Sequence, residues 1–313
     1  MNEYLERIDI VCYNICLEKV RYNEQMKKKK RRLRKRTIYL IIAAVLLIIA
    51  AAGAGFLINN HLRLQNQQQY YEELQELARV ESEAGTIIDA EEFASEEMSE
   101  VESEEASEVV DLSIYNIPEK ELDFSLLQEE NEHIYSWICI PETNIDYPIV
   151  QHPDEADYYL DHNLDHSVGY PGGIYTQNLN SLNFDDFNTV VYGHNMKNGT
   201  MFHDLHLFED ETFFNEHPYI YVYTESGVLV YQIFAAYEYS NIHLLLGFDL
   251  SSPEIRQIYL DNIYIAEGTN NHYNMDVPVT ADDNILTLTT CIGNKPDKRY
   301  LVAAVLVADG RTE

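Results

Sequence analysis

Positive charge is scarce in most of this 313-residue chain. Beyond residue 58 there are nine Lys and Arg against 48 Asp and Glu, a net charge near −39. Binding to a nucleic-acid backbone depends on clustered Lys and Arg, so it is excluded as the role of this part. Cysteine is also sparse. Cys12, Cys16, Cys139 and Cys291 are too few and too scattered for a disulfide scaffold. No HExxH zinc motif and no D-x-D-x-D-G calcium loop occurs, and no internal repeat is visible. What is present is a 46% hydrophobic composition, enough for a packed core.

The basic residues that exist are gathered at the start. Residues 1–36 hold 12 of the 21 Lys and Arg, ending in KKKKRRLRKR, and only five acids. Residues 37–58 follow, 22 residues without a charge. At 1.5 Å per residue such a helix crosses a hydrocarbon core of about 30 Å. Flanking positive charge keeps the leader cytoplasmic, which predicts a signal-anchor with everything after residue 58 outside. A cleaved signal peptide is the competing reading, because Ala-x-Ala patterns occur near Ala50 to Ala54. The long leader and long apolar run argue against it. Within the leader, Tyr4, Ile8, Val11 and Ile15 have helical spacing, and Cys12 and Cys16 lie one turn apart near that face, as small apolar positions with a palmitoylation or metal pair the rival reading.

Residues 59–111 are Gln-rich and then acidic, with 13 acids and no Lys or Arg from Glu81 to Asp111. Such a composition cannot bury enough apolar surface to offset chain entropy, which predicts a disordered stalk, with room for a helical segment around Tyr70 to Val80 near the membrane. A folded domain is expected over 112–313. Short helices are expected near 117–134, another over 201–208 and a clear one over 253–265, where Pro253 stands at the first helical position. Eight segments rich in β-branched and aromatic residues read as strands: 137–140, 147–150, 172–176, 188–194, 219–224, 228–239, 285–290 and 299–308. The fold class is therefore mainly β, an eight-stranded barrel with inserted short helices, preceded by one transmembrane helix.

Cys291 stands where a Thr- and Leu-rich strand gives way to the turn residues of IGNKPDK. The outer domain has seven basic residues, and Lys295, Lys298 and Arg299 fall within eight positions of this cysteine. Nearby cations favour the thiolate, which is the nucleophilic form. A thiol nucleophile needs a proton carrier, and His194 ends another apolar strand, VVYG. His162 with His166, and His203 with His206, have spacings that could bind zinc, which keeps a zinc-dependent hydrolase in view. Cys139, in mid-strand, reads as a small core or surface position, and Met196 and Met201 read as packing residues near the His194 loop.

TLTTC at 287–291, RYLV at 299–302, VVYGHNMKNGTMF at 190–202 and WICIPETNIDYPIVQ with DYYLDHN occur in an order that resembles the sortases. These are membrane-anchored cysteine transpeptidases of Gram-positive bacteria. YGHNMKNG and the helix before the cysteine strand resemble class B. The resemblance covers about 115–308 and implies a closed eight-stranded barrel. It implies Cys291 as nucleophile, His194 as general acid/base, and Arg299 as the cation that positions substrate and stabilises the oxyanion. It also implies Leu160 and Thr289 in the substrate groove, and no cofactor or metal. No carboxylate is assigned to orient His194. The implied partners are secreted proteins bearing a C-terminal sorting motif, and an acceptor amine from a cell-wall peptidoglycan precursor or a pilin Lys. A non-catalytic surface adhesin or receptor on an acidic stalk is the reading from another class.

Overall fold

The structure, a computed structural model, describes residues 2–77 and 111–312. It comprises two compact units, Met1–Gln65 and Asn66–Glu313.

In the first unit the chain belongs to one helix, α1 (Asn2–Leu77). Residues 37–58 are exposed along their whole length, and the helix is long and apolar enough to cross a membrane. A helix satisfies its own backbone hydrogen bonds, the condition for lying in hydrocarbon. No break marks residue 36 or 58. The flanking Lys, Arg, Gln and Glu are good helix formers, and the first proline of the chain is Pro118.

In the second unit the last turns of α1 occupy the start of the expected stalk, including part of the segment around Tyr70 to Val80 that could be helical. Composition predicts disorder over 59–111, yet α1 runs to Leu77 and its final part packs on the folded domain. Tyr71 and Leu74, one turn apart, are 5% and 2% exposed. Tyr71 Oη donates to the Gly172 carbonyl at 2.7 Å, and Gln75 Nε2 donates to the Asp146 carbonyl at 2.6 Å. Two apolar positions among glutamines and glutamates give this segment a reason to order that average composition hides. The rest of the expected stalk, 78–110, lies outside the described residues. Leu74→Ala is expected to lower unfolding free energy by about 2–3 kcal/mol, measured by urea titration. That is the lower part of the range for buried leucines, because a terminal helix can undock instead of leaving a cavity.

The strands are β1 (Ile134–Cys139), β2 (Asp146–Val150), β3 (Ile174–Thr176), β4 (Asn188–Tyr192), β5 (Tyr219–Thr224), β6 (Gly227–Ser240), β7 (His272–Tyr273), β8 (Ile285–Ile292) and β9 (Lys295–Asp309). Eight of them pair in the order β5-β1-β2-β3-β4-β8-β9-β6, and β5 with β6 closes the ring. The expected barrel is therefore present. β7 is a two-residue addition on the β6 edge beyond β5.

Alternate residues of β9 face two cores. Tyr300, Val302 and Ala304 join the main one, whereas Leu301, Ala303 and Val305 join a second that includes Tyr259, Leu260 and Ile263. Burial on both faces is why this strand reads as a continuous apolar run, not an alternating one. Helix α2 (Phe124–Glu130) precedes β1, and α3 (Tyr158–Asp161), α4 (Glu211–Glu216), α5 (Leu244–Gly247) and α6 (Pro253–Tyr264) are inserted between strands, with a 3-10 segment at Phe202–Glu209. α6 is the helix expected from Pro253. Its Ser252 hydroxyl donates to the Glu254 carboxylate and makes no side-chain hydrogen bond to the helix backbone.

The hairpin after Cys291 is tighter than its composition suggests. β8 continues to Ile292, Gly293 and Asn294 make the turn, and β9 begins at Lys295. The register jumps between Cys291↔Arg299 and Ile292↔Lys295. Pro296, which lacks an N–H, falls in this interruption, where the β8 ladder does not need one.

Candidate active site

Strand order brings distant residues to one rim of the barrel. β4 and β8 are parallel neighbours, paired from Asn188↔Ile285 to Tyr192↔Thr289. Both strands run toward the same end, and two residues beyond their last mutual pair stand His194, past the end of β4, and Cys291, still within β8. β9 is antiparallel to β8 and begins at that end, so Arg299 lies directly across from Cys291. Side chains at such opposed positions have Cβ atoms about 4.5–5.5 Å apart. Cys291, His194, Arg299, Leu160 and Thr289 all line one cavity of about 210 Å³.

Cys291 is a free, exposed thiol, although residues 285–290 of the same strand are buried. The other free cysteine among the described residues whose side chains are described is Cys139, which is buried in β1. Burial pushes its thiol up to about 11, with Asp146 adding to the shift and Lys120 opposing it. Of the two positions open to it, core or surface, Cys139 takes the core.

His194 follows Gly193, and the glycine is required by close approach. A Cβ there would lie 2.5 Å from Ile174 Cδ1 and 2.6 Å from Phe202 Cγ. Gly193 N donates to the Thr289 carbonyl, and Thr290 Oγ1 donates to the Gly193 carbonyl, so this exit is stitched to β8. His194 Nε2 lies 2.7 Å from the Leu160 carbonyl oxygen, which only accepts, so Nε2 is the donor. In the neutral ring that leaves Nδ1 as the nitrogen able to take a proton. The orienting group is a backbone carbonyl, which explains why no carboxylate can be assigned from residue types. The Tyr170 ring packs edge-on to the imidazole at 4.9 Å.

Arg299 is half-buried, and its Nη1 donates to the carbonyls of Pro296 and Lys298 at 3.1 and 2.8 Å. Of the three cations near Cys291, it is the one lining the cavity. Lys295 Nζ is engaged by Glu238 at 2.6 Å. The cavity is also lined by Tyr175 stacked on Tyr192, which residue patterns alone did not single out. Burial first, and Asp157 second, push both phenols well above their ordinary range, so they stay neutral and able to donate.

Each of the four histidines with metal-like spacing is hydrogen-bonded to a protein group through Nδ1. The Nδ1 of His162 meets the Tyr158 carbonyl at 3.0 Å, that of His166 the Tyr158 hydroxyl at 3.2 Å, that of His203 Asn195 Oδ1 at 2.8 Å, and that of His206 Glu209 at 2.5 Å. His152 and His162 stack on Tyr158 of α3, the helix carrying Leu160. Beside them, burial and then His152 and His166 hold His133 below its usual 6.5, with Glu132 opposing. A histidine depressed in the folded state binds its proton more readily when unfolded. Its contribution to stability is complete above about 6.5 and is lost as pH falls from there through the folded value. Melting temperature is expected to decline between about pH 7 and pH 5, and His133→Gln to flatten that decline.

Known proteins resemble this chain in sequence and in fold. A sequence model of the sortase domain matches residues 138–307, more than half of the chain. Sortase B of Listeria monocytogenes is 37% identical over 167 residues, 53% of this chain and 65% of that protein, just under two thirds of its length. Sortase B of Staphylococcus aureus is 29% identical over 187 residues, 59% of this chain and 74% of that protein. The X-ray structure of Clostridium perfringens sortase B superposes with a TM-score of 0.54 at 33% identity, covering 59% of this chain and all of that one. The chain belongs to the sortase family, and within it to class B.

Proposed function

We propose that the chain is a cysteine transpeptidase held at the membrane by α1, with residues 1–36 cytoplasmic and 112–313 outside. It would cleave a C-terminal sorting motif of secreted proteins and transfer the acyl group to an amine of the cell wall or of a pilin. The observation that carries the reading is the convergence of a free thiol, an imidazole and a guanidinium on one cavity.

In the forward step Cys291 Sγ attacks a backbone carbonyl of the motif, that of its Thr by family resemblance. The negative charge that develops on oxygen is stabilised by Arg299 and backbone N–H groups more strongly than the ground state is. The C–N bond breaks, and the departing amine takes a proton from His194. A thioester remains on Cys291. An acceptor amine then attacks it, loses a proton to His194, and releases the thiolate, leaving a new amide bond. The acidity of the outer region keeps it soluble beside an anionic wall.

Incubating the full chain in detergent micelles with LPxTG-like and NPxTN-like peptides and a small amine tests this reading. The expected result is an acyl adduct on Cys291, seen by mass spectrometry, and an amide product. Peptides left intact across the whole library would sink it. Arg299→Ala is expected to lower kcat about 10²–10³-fold, as for loss of one oxyanion donor. Arg299→Lys should recover part of that loss, since an ammonium restores charge without the planar fork.

A further inference from the structure

A second histidine stands next to Cys291. His206 Nε2 lies 3.1 Å from the Cys291 carbonyl oxygen, and Asn195 Nδ2 donates to the same oxygen at 2.9 Å. Neither residue lines the cavity. We propose that Asn195, His206 and Glu209 form a positioning relay that holds the backbone of Cys291, and with it the thiol, in register with His194. The inference rests on Cys291 being the nucleophile.

Asn195 is the hub, and each of its side-chain groups is used. Its amide hydrogens go to the Cys291 carbonyl and to His206 Nε2 at 2.9 Å, and its Oδ1 accepts from His203 Nδ1 at 2.8 Å. The residue beside His194 is thereby tied to the residue bearing the thiol. His206 is fixed in turn, stacked on Tyr300 of β9 at 5.3 Å and donating from Nδ1 to Glu209. Burial raises the Glu209 carboxyl, but hydrogen bonds from His206 and Asn270 outweigh it and leave the group below its usual range. Asn270 Nδ2 holds the other carboxylate oxygen at 2.8 Å.

This arrangement also accounts for the spacing of His203 and His206, which grip opposite ends of one amide. With the ring proton on Nδ1, His206 accepts from Asn195. With both nitrogens protonated, Nε2 can donate to Cys291 directly. The carbonyl is held in either state. Cys291 needs such a hold because it is the last residue paired before the β8–β9 register break. Release of its carbonyl would let the peptide plane turn and carry Sγ away from His194, and a shift of about 1 Å can cost about 10²-fold in rate.

The test compares Asn195→Ala, His206→Phe, His206→Gln and Glu209→Gln in the full chain in micelles, using a peptide that the unaltered chain acylates. Asn195→Ala and His206→Phe should slow thioester formation about 10- to 100-fold with KM within about twofold. Alkylation of Cys291 by iodoacetamide at about pH 10.5, where the thiol is ionised whatever its neighbours, located by peptide mass, should change by less than about twofold, because a small reagent needs the thiolate but not its alignment. His206→Gln loses the stack on Tyr300 but keeps an acceptor and a donor, so it should retain more activity than His206→Phe. Glu209→Gln should lose least. The relay is overturned if His206→Phe acylates at the normal rate, if Phe outperforms Gln, or if alkylation falls in step with acylation. An unaltered chain that forms no thioester at all overturns the nucleophile, and the relay with it.

Discussion

Cys291→Ala is expected to leave a folded chain that forms neither thioester nor amide. The side chain is exposed at the rim, so its truncation should change unfolding free energy by no more than about 0.5 kcal/mol, the usual scale for surface substitutions. No other described thiol can take its place. Cys139 is buried, its thiol is pushed up to about 11, and it does not line the cavity. Parallel assays of peptide cleavage, amide formation and melting temperature check the prediction together. Cleavage by a stable Cys291→Ala protein would assign the chemistry to another group. Loss of activity accompanied by a lower melting temperature would mean that the thiol also supports the hairpin.

Most of the barrel is legible in the sequence because its strands are buried on both faces. Segments such as LVAAVLVA carry their signal locally, and closure follows from the number of strands. The site is legible only in part. Cys291 and His194 stand out as polar residues at the ends of apolar strands, but their meeting depends on β4 and β8 being parallel neighbours, and no local pattern encodes that pairing. Family resemblance supplied the link. The group that orients His194 is the Leu160 carbonyl, which has no residue-type signature at all. Leu160 lines the cavity, and Thr289 lines it from β8. The docked end of α1 was hidden for a different reason. Tyr71 and Leu74 are two apolar residues in a polar run, and composition averages them away although their one-turn spacing is what packing requires.

The two histidines beside Cys291 should separate cleanly when removed. His194→Ala is expected to reduce thioester formation about 10²–10⁴-fold, the range for loss of a positioned proton carrier. The fold should survive, because the ring is only half-buried and its one hydrogen bond, to Leu160, lies at the cavity rim. Truncation also opens space between Tyr170 and the cavity, where free imidazole can enter. Added imidazole is therefore expected to restore a measurable fraction of acylation to His194→Ala, with a dependence on imidazole concentration that saturates. The same addition should do nothing for His206→Phe, whose defect is one of alignment and whose site the phenyl ring still fills. Rescue of both variants would make His206 a second proton carrier. Rescue of neither, with His194→Ala acylating at the normal rate, would remove His194 from the chemistry.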